Sequence, residues 1–552
     1  MATTPSGYAL ASRNHTLTSD EVSLAGMEFN LADLLEAVVD TVPDRLALIA
    51  GDRRLTFAEL DERANRVAHY LRDVGVVPGQ HVGIYAYNRA EWAETMIGCY
   101  KARVVPINVN YRYVVDELWY LFDNADLVAL VFEAEFGPRV ASVLPALPKL
   151  RHLVQLDDGT GTETEGLEVV EYEHALAASD GSRTGLVPRS ADDLYILYTG
   201  GTTGMPKGVM WRAEDIFFAA MGGGNYGGEP ISKPEAIAPN VSPTAGVTFA
   251  LAPLMHGNAQ WSMFVGLFGG NTVVLYTNRR FDADDVWDVV EREQINVMSL
   301  VGDAMARPLV DALAHRAIPP SLFAIVSGGA ILSPAIKAEF NARAPNVAIV
   351  DAFGASETGA NGAVDVTAKG PRFHMNDATT VITDSGDVAP VGEIGMLARR
   401  GHVPIGYYKD AEKSAGTFVE MHGVRWAIPG DLAVIEADGT ITVLGRGSQS
   451  INTGGEKVYP EEVESVLKGH PDVFDAIVVG VPDTRFGESV AAVVAPRPGS
   501  TVTLDALSTH ARNSLAGYKV PRHLIIVEAV ERTPAGKPNY GWARDIALAA
   551  VS

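Results

Sequence analysis

One short segment that is rich in glycine and threonine and contains one lysine could bind an anion. Residues 198–208 read Tyr-Thr-Gly-Gly-Thr-Thr-Gly-Met-Pro-Lys-Gly and continue the apolar alternation of Leu194, Ile196 and Tyr198. This pattern predicts a strand that runs into a loop of exposed backbone N–H groups. Glycines let the main chain approach an anion closely, threonine hydroxyls add donors, and Lys207 adds a positive charge. The segment therefore predicts a polyphosphate site, with a flexible surface loop as the alternative.

The segment is not a Walker A loop. Lys207 is preceded by Pro206 and followed by Gly208, whereas that loop requires Gly-Lys followed by Ser or Thr. Phosphoryl transfer of the P-loop kind is therefore disfavoured. A second glycine run, at 222–227, matches the dinucleotide fingerprint by letter, but it follows a helical pattern instead of a strand. We interpret it as a loop.

Length and composition limit the class of protein. A chain of 552 residues exceeds what one core supports, so at least two domains are expected. The net charge of −24 argues against binding of nucleic acid or anionic lipid. The single cysteine, Cys99, excludes an intramolecular disulfide, is expected to be buried, and favours a cytoplasmic location. The sequence shows neither a secretory signal nor an apolar run of about 18 residues, so no integral membrane association is expected.

The order of apolar runs predicts an α/β protein. Strand and helix patterns alternate over 81–132 and again over 248–351, which indicates parallel sheets with helices on their faces. Shorter strands follow from about residue 388, with Asp438-Gly439 marking a hairpin. We expect a loose extension at 1–26, a large domain at 27–445, a hinge at 446–449 and a small α+β domain at 450–552.

The 198–208 segment, together with motifs that follow it in a fixed order, resembles the acyl-adenylate-forming superfamily of acyl-CoA ligases, nonribosomal adenylation domains and luciferases. These motifs include Pro-Leu-Met-His-Gly at 253–257, Ser-Gly-Gly-Ala at 327–330, Asp-Ala-Phe-Gly-Ala-Ser-Glu-Thr at 351–358 and Pro-Ala-Gly-Lys-Pro at 534–538. The resemblance implies a large N-terminal domain of stacked α/β subdomains with a small β-barrel-like part. It also implies a small, mobile C-terminal α+β domain.

The resemblance implies roles for individual residues. Lys537, Glu357, Thr199 and His256 are expected in catalysis, and Glu357 is expected to ligate Mg²⁺, for which carboxylate oxygen is a suitable ligand. Departures from the usual pattern are Gly200 for serine, Phe353 for tyrosine and Ser448 for aspartate or lysine. His256, Trp261 and Phe264 are expected at the acyl pocket, although packing in the core is an equal alternative for the two aromatic residues. CoA is expected to contact Ser448, Gly454, Gly455 and Glu456. The nucleotide is expected to contact Thr199, Gly200, Gly201, Thr202, Thr203, Gly204, Lys207, Gly328, Gly329, Ala330, Asp351, Phe353, Gly354, Ser356, Asp431, Arg446 and Lys537.

The implied activity is ATP-dependent ligation of a carboxylic acid to CoA through an acyl-AMP intermediate, with release of AMP and pyrophosphate. The loop and the residues 302–309 resemble actinobacterial ligases, including those for steroid side chains. A medium- or long-chain fatty acid, or a bulky isoprenoid or steroid acid, is therefore favoured, and aryl acids stay open. The alternatives are a stand-alone enzyme that loads a carrier protein and a non-catalytic ATP or AMP sensor. Whether the protein forms a homodimer is left open.

Overall fold

The computed structural model describes residues 27–551 except 163, 165, 202–203, 331, 368–369, 447–448, 454–455, 484 and 534–536. The expected extension at 1–26 and the middle of the expected hinge therefore lie outside the described residues. Within the described chain, several helices begin at a residue whose side chain caps the first turn. For example, Thr56 and Glu59 form a reciprocal capping box at the start of the helix that begins at Phe57.

The helices carry apolar residues on the faces that they bury against the sheets. In chain order they are α1 (Leu31–Thr41), α2 (Phe57–Asp73), α3 (Ala90–Lys101), α4 (Val115–Asn124), α5 (Gly137–Val143), α6 (Tyr172–Ala177), α7 (Ala213–Ala220), α8 (Gly257–Phe268), α9 (Ala283–Arg292), α10 (Gly302–Ala312), α11 (Pro334–Arg343), α12 (Ala411–Thr417), α13 (Pro460–Lys468), α14 (Leu504–Arg512) and α15 (Tyr540–Val551).

The strands up to residue 355 form mostly parallel sheets. They are β1 (Leu46–Ala50), β2 (Arg53–Thr56), β3 (His81–Tyr85), β4 (Val105–Asn108), β5 (Leu127–Glu133), β6 (His152–Leu156), β7 (Val170–Glu171), β8 (Leu194–Gly201), β9 (Gly204–Arg212), β10 (Val247–Ala250), β11 (Thr272–Leu275), β12 (Val297–Leu300), β13 (Ala324–Gly328) and β14 (Ala348–Ala355).

The later strands pair mainly in antiparallel fashion. They are β15 (Gly359–Thr367), β16 (Gly370–His374), β17 (Thr379–Ile382), β18 (Ile394–Arg400), β19 (Gly406–Tyr407), β20 (Phe418–Met421), β21 (Val424–Ala427), β22 (Asp431–Ile435), β23 (Thr440–Arg446), β24 (Ile451–Thr453), β25 (Glu456–Val458), β26 (Val473–Asp483), β27 (Gly487–Pro496) and β28 (His523–Ile526).

Two parallel sheets confirm the expected α/β subdomains. One has the order β4-β3-β5-β6-β7, and the other contains the parallel run β1-β11-β10-β12-β13-β14. In the second sheet, α8, α9, α10 and α11 connect successive strands from β10 to β14. Because the strands are parallel, their carboxyl ends share one edge of the sheet, where ligands commonly bind in open α/β folds.

The expected phosphate loop is a β-hairpin in its described part. Strand β9 pairs antiparallel with β8, and Thr199 lies opposite Lys207 while Gly201 lies opposite Gly204. Lys207 therefore lies on a strand and not in a loop, because pairing with β8 satisfies the backbone groups of this segment. The predicted residues Thr202 and Thr203 fall outside the described residues.

The expected barrel-like part is an open sheet. Seven later strands continue the sheet of β14 in the order β15-β16-β23-β22-β18-β21-β20, and β17 pairs with β18 beside this path. Strand β19 instead pairs with β9 in a separate sheet. Among the described strands the path ends at β20 and does not return to its start, so no closed barrel forms. The hairpin predicted at Asp438-Gly439 is confirmed between β22 and β23, with Gly439 in a left-handed conformation at φ 80°.

The C-terminal part has its own sheet and core. Strands β24 to β28 form a five-stranded sheet on which α13 and α15 pack, and α14 packs against α13, as expected for a small α+β unit. Elsewhere, Cys99 is fully buried on α3, and burial raises the pKa of its thiol, as expected for a packing residue. No helix among the described residues has both the length and the apolar character needed to cross a membrane.

Candidate active site

A cavity of about 260 Å³ lies between two parts of the chain. The large part contains the elements from α1 to β23, and the C-terminal part contains those from β24 to α15. Its lining comes from the end of β14, from β22 and β23, from α13 and from the chain just before α15. Several of the residues predicted from sequence line it together, although they are far apart in the chain. They are Thr199, Gly329, Ala330, Asp351, Phe353, Gly354, Ser356, Glu357, Asp431 and Lys537.

Strand β14 places aromatic and acidic groups along one wall. Phe353 lines the cavity and stacks on Phe373, with ring centroids 5.7 Å apart. Gly354 follows at an irregularity in the pairing of β14 with β15. A Cβ atom at this position would lie 2.5 Å from the carbonyl oxygen of Gly359, so no side chain fits here. The motif therefore needs glycine at position 354 for a steric reason.

Asp351 is a buried acid on the same strand. It is 4% exposed, and burial, opposed by Lys337 and reinforced by Asp303, raises its pKa to about 7. Its carboxyl group therefore titrates near neutral pH. Perturbed acids of this kind are typical of functional clefts.

Glu357 and Lys207 are held by the short segment 407–410, which runs from the end of β19 to the N-cap of α12. The hydroxyl of Tyr407 donates a hydrogen bond to Oε1 of Glu357 at 2.9 Å. Nζ of Lys207 donates to Oδ2 of Asp410 at 2.7 Å and lies 5.8 Å from the centre of the Tyr407 ring. This hydrogen bond lowers the pKa of Asp410, which therefore keeps its negative charge beside Lys207. Lys207 is not among the cavity-lining residues.

Asp431 and Arg446 are brought together by the hairpin of β22 and β23. Asp431 begins β22, lies directly opposite Arg446 and is 9% exposed. The register thus places these two residues, both predicted to contact the nucleotide, side by side in the backbone. Asp431 is among the cavity-lining residues.

Lys537 reaches the cavity from a turn whose described ends, Thr533 and Lys537, are joined by hydrogen bonds. The N–H of Thr533 donates to the carbonyl oxygen of Lys537 at 2.7 Å, and the N–H of Lys537 donates to the hydroxyl of Thr533 at 3.2 Å. Arg532 and Pro538 form an isolated β-bridge that closes the turn. The lysine side chain is exposed, so the turn presents a positive charge to a solvent-accessible cavity.

The residues predicted for the acyl pocket lie on or next to α8. His256 directly precedes the helix, and the indole N–H of Trp261 donates to the hydroxyl of Tyr195 at 3.1 Å. Phe264 is 1% exposed and packs against Phe268. None of His256, Trp261 and Phe264 is among the lining residues of the cavity, so their acyl-pocket role stays a prediction.

The remaining predicted residues contribute less to the described site. Glu456 is exposed at the start of β25, and Gly328 ends β13 beside the cavity-lining Gly329. Gly329 has φ 85°, a conformation that favours glycine. Gly200, Gly201 and Gly204 lie at the end of the β8–β9 hairpin. Ser448, Gly454 and Gly455 lie outside the described residues.

Several lining residues were not predicted from the sequence. Glu464 and Lys468 are four residues apart on α13, and Arg532 lies five residues before Lys537. The four-residue spacing is a sequence signal for side chains on one helix face, but it does not indicate what that face contacts. The unpredicted lining residues include Gln449, Glu461, Glu464, Lys468, Arg532 and Tyr540.

The lining combines cations, carboxylates and an aromatic ring. Lys537 and the hydroxyl of Thr199 can stabilise charge on phosphoryl oxygens, and Asp431 can accept hydrogen bonds from vicinal hydroxyls. Among the described residues no group of three or more metal-binding side chains occurs. A magnesium ion that accompanies a nucleotide needs only one or two protein carboxylates besides the phosphates, so Glu357 fits this requirement. The fold and the cavity lining have the features expected of an α/β enzyme that binds a nucleotide.

Comparison with known proteins specifies the class. The profile described as AMP-binding enzyme matches residues 35–408, and that described as AMP-binding enzyme C-terminal domain matches residues 462–537. The chain belongs to the AMP-binding enzyme family.

Curated relatives and solved structures agree with this assignment. The chain is 49% identical over 536 residues to a 3-oxocholest-4-en-26-oate–CoA ligase of Rhodococcus rhodochrous, covering 94% of this chain and 96% of the relative. It is 48% identical over 528 residues to a medium/long-chain-fatty-acid–CoA/3-oxocholest-4-en-26-oate–CoA ligase of Mycobacterium tuberculosis, covering 94% and 96%. The anthranilate CoA ligase AuaEII in complex with anthranoyl-AMP superposes with a TM-score of 0.82 at 25% identity, covering 95% of this chain and 98% of that chain. ATP-bound MatB from Rhodopseudomonas palustris gives 0.79 at 25% identity, covering 94% and 99%.

Proposed function

We propose that this protein is an ATP-dependent acyl-CoA ligase that activates a medium- or long-chain fatty acid or a steroid side-chain acid. The observation that carries the proposal is the cavity in which Thr199, Glu357, Asp431 and Lys537 meet. The two curated relatives, which cover nearly the whole chain, support the choice of acid by their names. A cytoplasmic location is part of the proposal and is supported by the single buried cysteine.

The first half-reaction joins the acid to AMP. A carboxylate oxygen attacks the α-phosphorus of ATP in line, the bond to the β-phosphate oxygen breaks, and pyrophosphate leaves with that electron pair. The nucleophile is already ionised, so no general base is required. Negative charge builds on the phosphoryl oxygens in the transition state, and Lys537, which lines the cavity, would stabilise this charge.

Glu357 would hold a magnesium ion, and Tyr407 fixes the carboxylate that does so. When bound, the ion neutralises phosphate charge and orients the phosphates. The hydroxyl of Thr199 contributes a hydrogen-bond donor to the same cavity. Phe353 offers an aromatic surface to the base, and Asp431 offers acceptors to the ribose hydroxyls.

The second half-reaction transfers the acyl group to CoA. The thiol sulfur attacks the acyl carbonyl, and the thiol proton passes to water. The bond between the carbonyl carbon and the phosphate oxygen breaks, AMP leaves with that electron pair, and the thioester remains. We propose that the chain divides into the domains 27–445 and 450–552 and that the C-terminal domain rotates about the hinge at 446–449 between the two steps. The placement of Lys537 in the cavity supports assigning the structure to the first step.

Pyrophosphate release tests the proposed function. The protein is mixed with ATP, Mg²⁺ and one of dodecanoate, palmitate, 3-oxocholest-4-en-26-oate, acetate or benzoate, with and without CoA. We expect release with the fatty or steroid acids, and the CoA thioester only when CoA is present. ATP binding without pyrophosphate release from any acid would instead support a sensor. Acyl-AMP that is not consumed by CoA but is consumed by a carrier protein bearing pantetheine would support the carrier-loading alternative.

A further inference from the structure

Two charged side chains of α10 belong to ionic clusters that extend to the C-terminal part of the chain. Asp303 and Arg307 lie four residues apart on α10 and are buried, with 8% and 3% of their surfaces exposed. Both belong to the residues 302–309, which the sequence connected only with the identity of the acid. Neither lines the nucleotide cavity, so direct contact with the nucleotide does not explain them.

Asp303 contacts a lysine of the C-terminal part. Its Oδ1 accepts a hydrogen bond from the N–H of Ser333 at 2.7 Å, and its Oδ2 lies 3.9 Å from Nζ of Lys468, the last residue of α13. This second distance is an ion-pair distance and not a hydrogen bond. Both side chains are 10% exposed, so water and salt screen the attraction weakly. Burial raises the pKa of Asp303, and Lys468 is the largest influence that opposes the rise.

Lys468 connects this contact to a second acid within the C-terminal part. Its Nζ lies 3.5 Å from Oδ1 of Asp475. Burial opposes the charge on Lys468, but Asp475, Asp303 and Glu464 outweigh burial and raise its pKa, so the lysine stays charged. Lys468 is therefore a cation held between an acid of the large part and an acid of the small part.

Asp475 in turn holds the turn that carries Lys537. Its Oδ2 accepts hydrogen bonds from Nη2 and Nε of Arg532, at 2.5 Å and 3.1 Å. Arg532 forms the bridge with Pro538 that closes the turn around Lys537. A continuous series of charges thus runs from α10 of the large part to the backbone beside the proposed catalytic lysine.

Arg307 belongs to a second ionic contact across the same boundary. Its Nη1 donates to Oε1 of Glu339 on α11 at 2.7 Å, and Nη2 of Arg497, in the C-terminal part, lies 3.5 Å from the same oxygen. Two acids of the large part, Asp303 and Glu339, therefore each face a cation of the C-terminal part. These contacts can form only in one relative orientation of the two parts.

We propose that the pair Asp303–Lys468 holds the C-terminal part in the orientation that places Lys537 in the cavity for the first half-reaction. This inference rests on the function proposed above. Asp303 and Lys468 are then positioning residues, because they act through Asp475, Arg532 and the turn. The second half-reaction, which uses the rotated orientation, does not need the pair.

Asp303→Asn tests the pair with little change of shape, since the amide oxygen still accepts the hydrogen bond from Ser333. We expect dodecanoate-dependent pyrophosphate exchange to fall about tenfold, while conversion of supplied dodecanoyl-AMP to the CoA thioester changes less than about twofold. The matched control is Asp288→Asn, an exposed acid on the neighbouring α9 that pairs with Arg316. It should leave both rates unchanged. Equal rates of exchange in Asp303→Asn and wild type would overturn the proposal.

Lys468 itself lines the cavity, so it could act on the nucleotide directly. A double-mutant cycle separates this direct contact from the positioning role of Lys468. Lys468→Met and Asp303→Asn remove the same contact, so the double variant should lose little more exchange activity than either single variant. Additive losses, with a rise in the KM for ATP confined to Lys468→Met, would show that Lys468 acts on the nucleotide and would overturn the pair.

The orientation of the two parts provides a readout that does not depend on the reaction. Because Cys99 is the single cysteine and is buried, dyes can be placed at Ser142→Cys and Ser514→Cys, both exposed. Energy transfer between the two dyes reports the orientation of the two parts. With ATP alone, the labelled protein that retains Asp303 should show one predominant energy-transfer population, and Asp303→Asn should reduce that population. An unchanged distribution would overturn the inference while leaving the proposed function standing. A shifted distribution in a protein that adenylates no acid would reject the proposed function and support the positioning contact.

Discussion

The large part of the chain and the C-terminal part supply the cavity in different ways. In the large part, Asp351 and Phe353 lie on β14, which pairs with a strand on each side, and Asp431 lies on β22, which does the same. In the C-terminal part, Lys537 lies on a turn closed by an isolated bridge, and its side chain is exposed. Strand pairing fixes the groups of the large part, whereas the proposed rotation of the C-terminal part would carry Lys537 away without disturbing the core of the large part.

Lys537→Ala should give the largest effect. Loss of its charge is expected to reduce adenylate formation by about 100-fold or more, because a cation placed at developing negative charge is a major source of transition-state stabilisation. Thioester formation from supplied acyl-AMP should continue, and separate assays of the two half-reactions measure this. Lys149→Ala, an exposed lysine paired with Asp126, is the control. Equal loss of both half-reactions in a folded protein would contradict the role of Lys537.

Glu357→Gln should weaken the first step by about 30-fold, because a neutral amide is a poorer ligand for a hard cation than a carboxylate. Raising the Mg²⁺ concentration should restore part of the activity, which a titration of adenylate formation against Mg²⁺ will show. Glu420→Gln, an exposed glutamate on β20, should titrate as wild type does. An unaltered Mg²⁺ dependence in Glu357→Gln would argue that this carboxylate does not hold the ion.

Tyr407→Phe removes the hydrogen bond that fixes Glu357 but keeps the ring beside Lys207. We expect adenylate formation to fall about fivefold, in line with the loss of one hydrogen bond to a charged group. The neighbouring Tyr408→Phe is the matched control, since its hydroxyl donates to Asp126 at 2.8 Å. Should the two variants behave alike in the first half-reaction, Tyr407 would have no specific effect on Glu357.

Asp351→Asn should give the smallest effect, on stability. The pKa of Asp351 is raised from 3.8 to about 7, so its stabilising contribution is complete below pH 4 and is lost as pH rises through about 7. Asparagine does not titrate, so the Tm of the variant relative to wild type should rise by roughly 2 °C between pH 5 and pH 8. Calorimetry without nucleotide measures this.

Asp438 provides a control of opposite sign for that experiment. Hydrogen bonds from Thr440, reinforced by Arg372, lower its pKa to about 2, so its contribution is present above its unfolded pKa of 3.8 and is lost as pH falls through about 2. Asp438→Asn should therefore not gain Tm relative to wild type as pH rises from 5 to 8. If the pH profile of Asp351→Asn matched that of Asp438→Asn, burial of Asp351 would not be the cause.

Much of the fold was predictable because its signals are local. Alternation of apolar runs with helical patterns predicted the parallel sheets, and the Asp438-Gly439 turn predicted the hairpin of β22 and β23. The hairpin of β8 and β9 was missed because the glycines of this segment favour a loop by local rules, whereas strand pairing satisfies the backbone groups. The open sheet after β14 was also missed, because closure of a barrel depends on pairing between strands distant in sequence.

The candidate site was predictable in its residue types and less so in its contacts. Thr199, Glu357, Asp431 and Lys537 were all named from motifs, and their roles stay predictions to be tested by substitution. Tyr407 and Asp410 were not named, although they hold Glu357 and Lys207. No local pattern marks them, since the hydrogen bond between Lys207 and Asp410 joins residues 203 apart in the chain.

The sequence by itself determined the family and the kind of chemistry, because motifs such as 198–208 and 351–358 each contain the required groups within a few residues. Only the tertiary structure decided which charges meet. It pairs Lys207 with Asp410, and it places Asp303 of α10 against Lys468 of α13. The physical reason is that an ion pair depends on distance and burial, and these follow from how separate elements pack, not from the residues beside each charge.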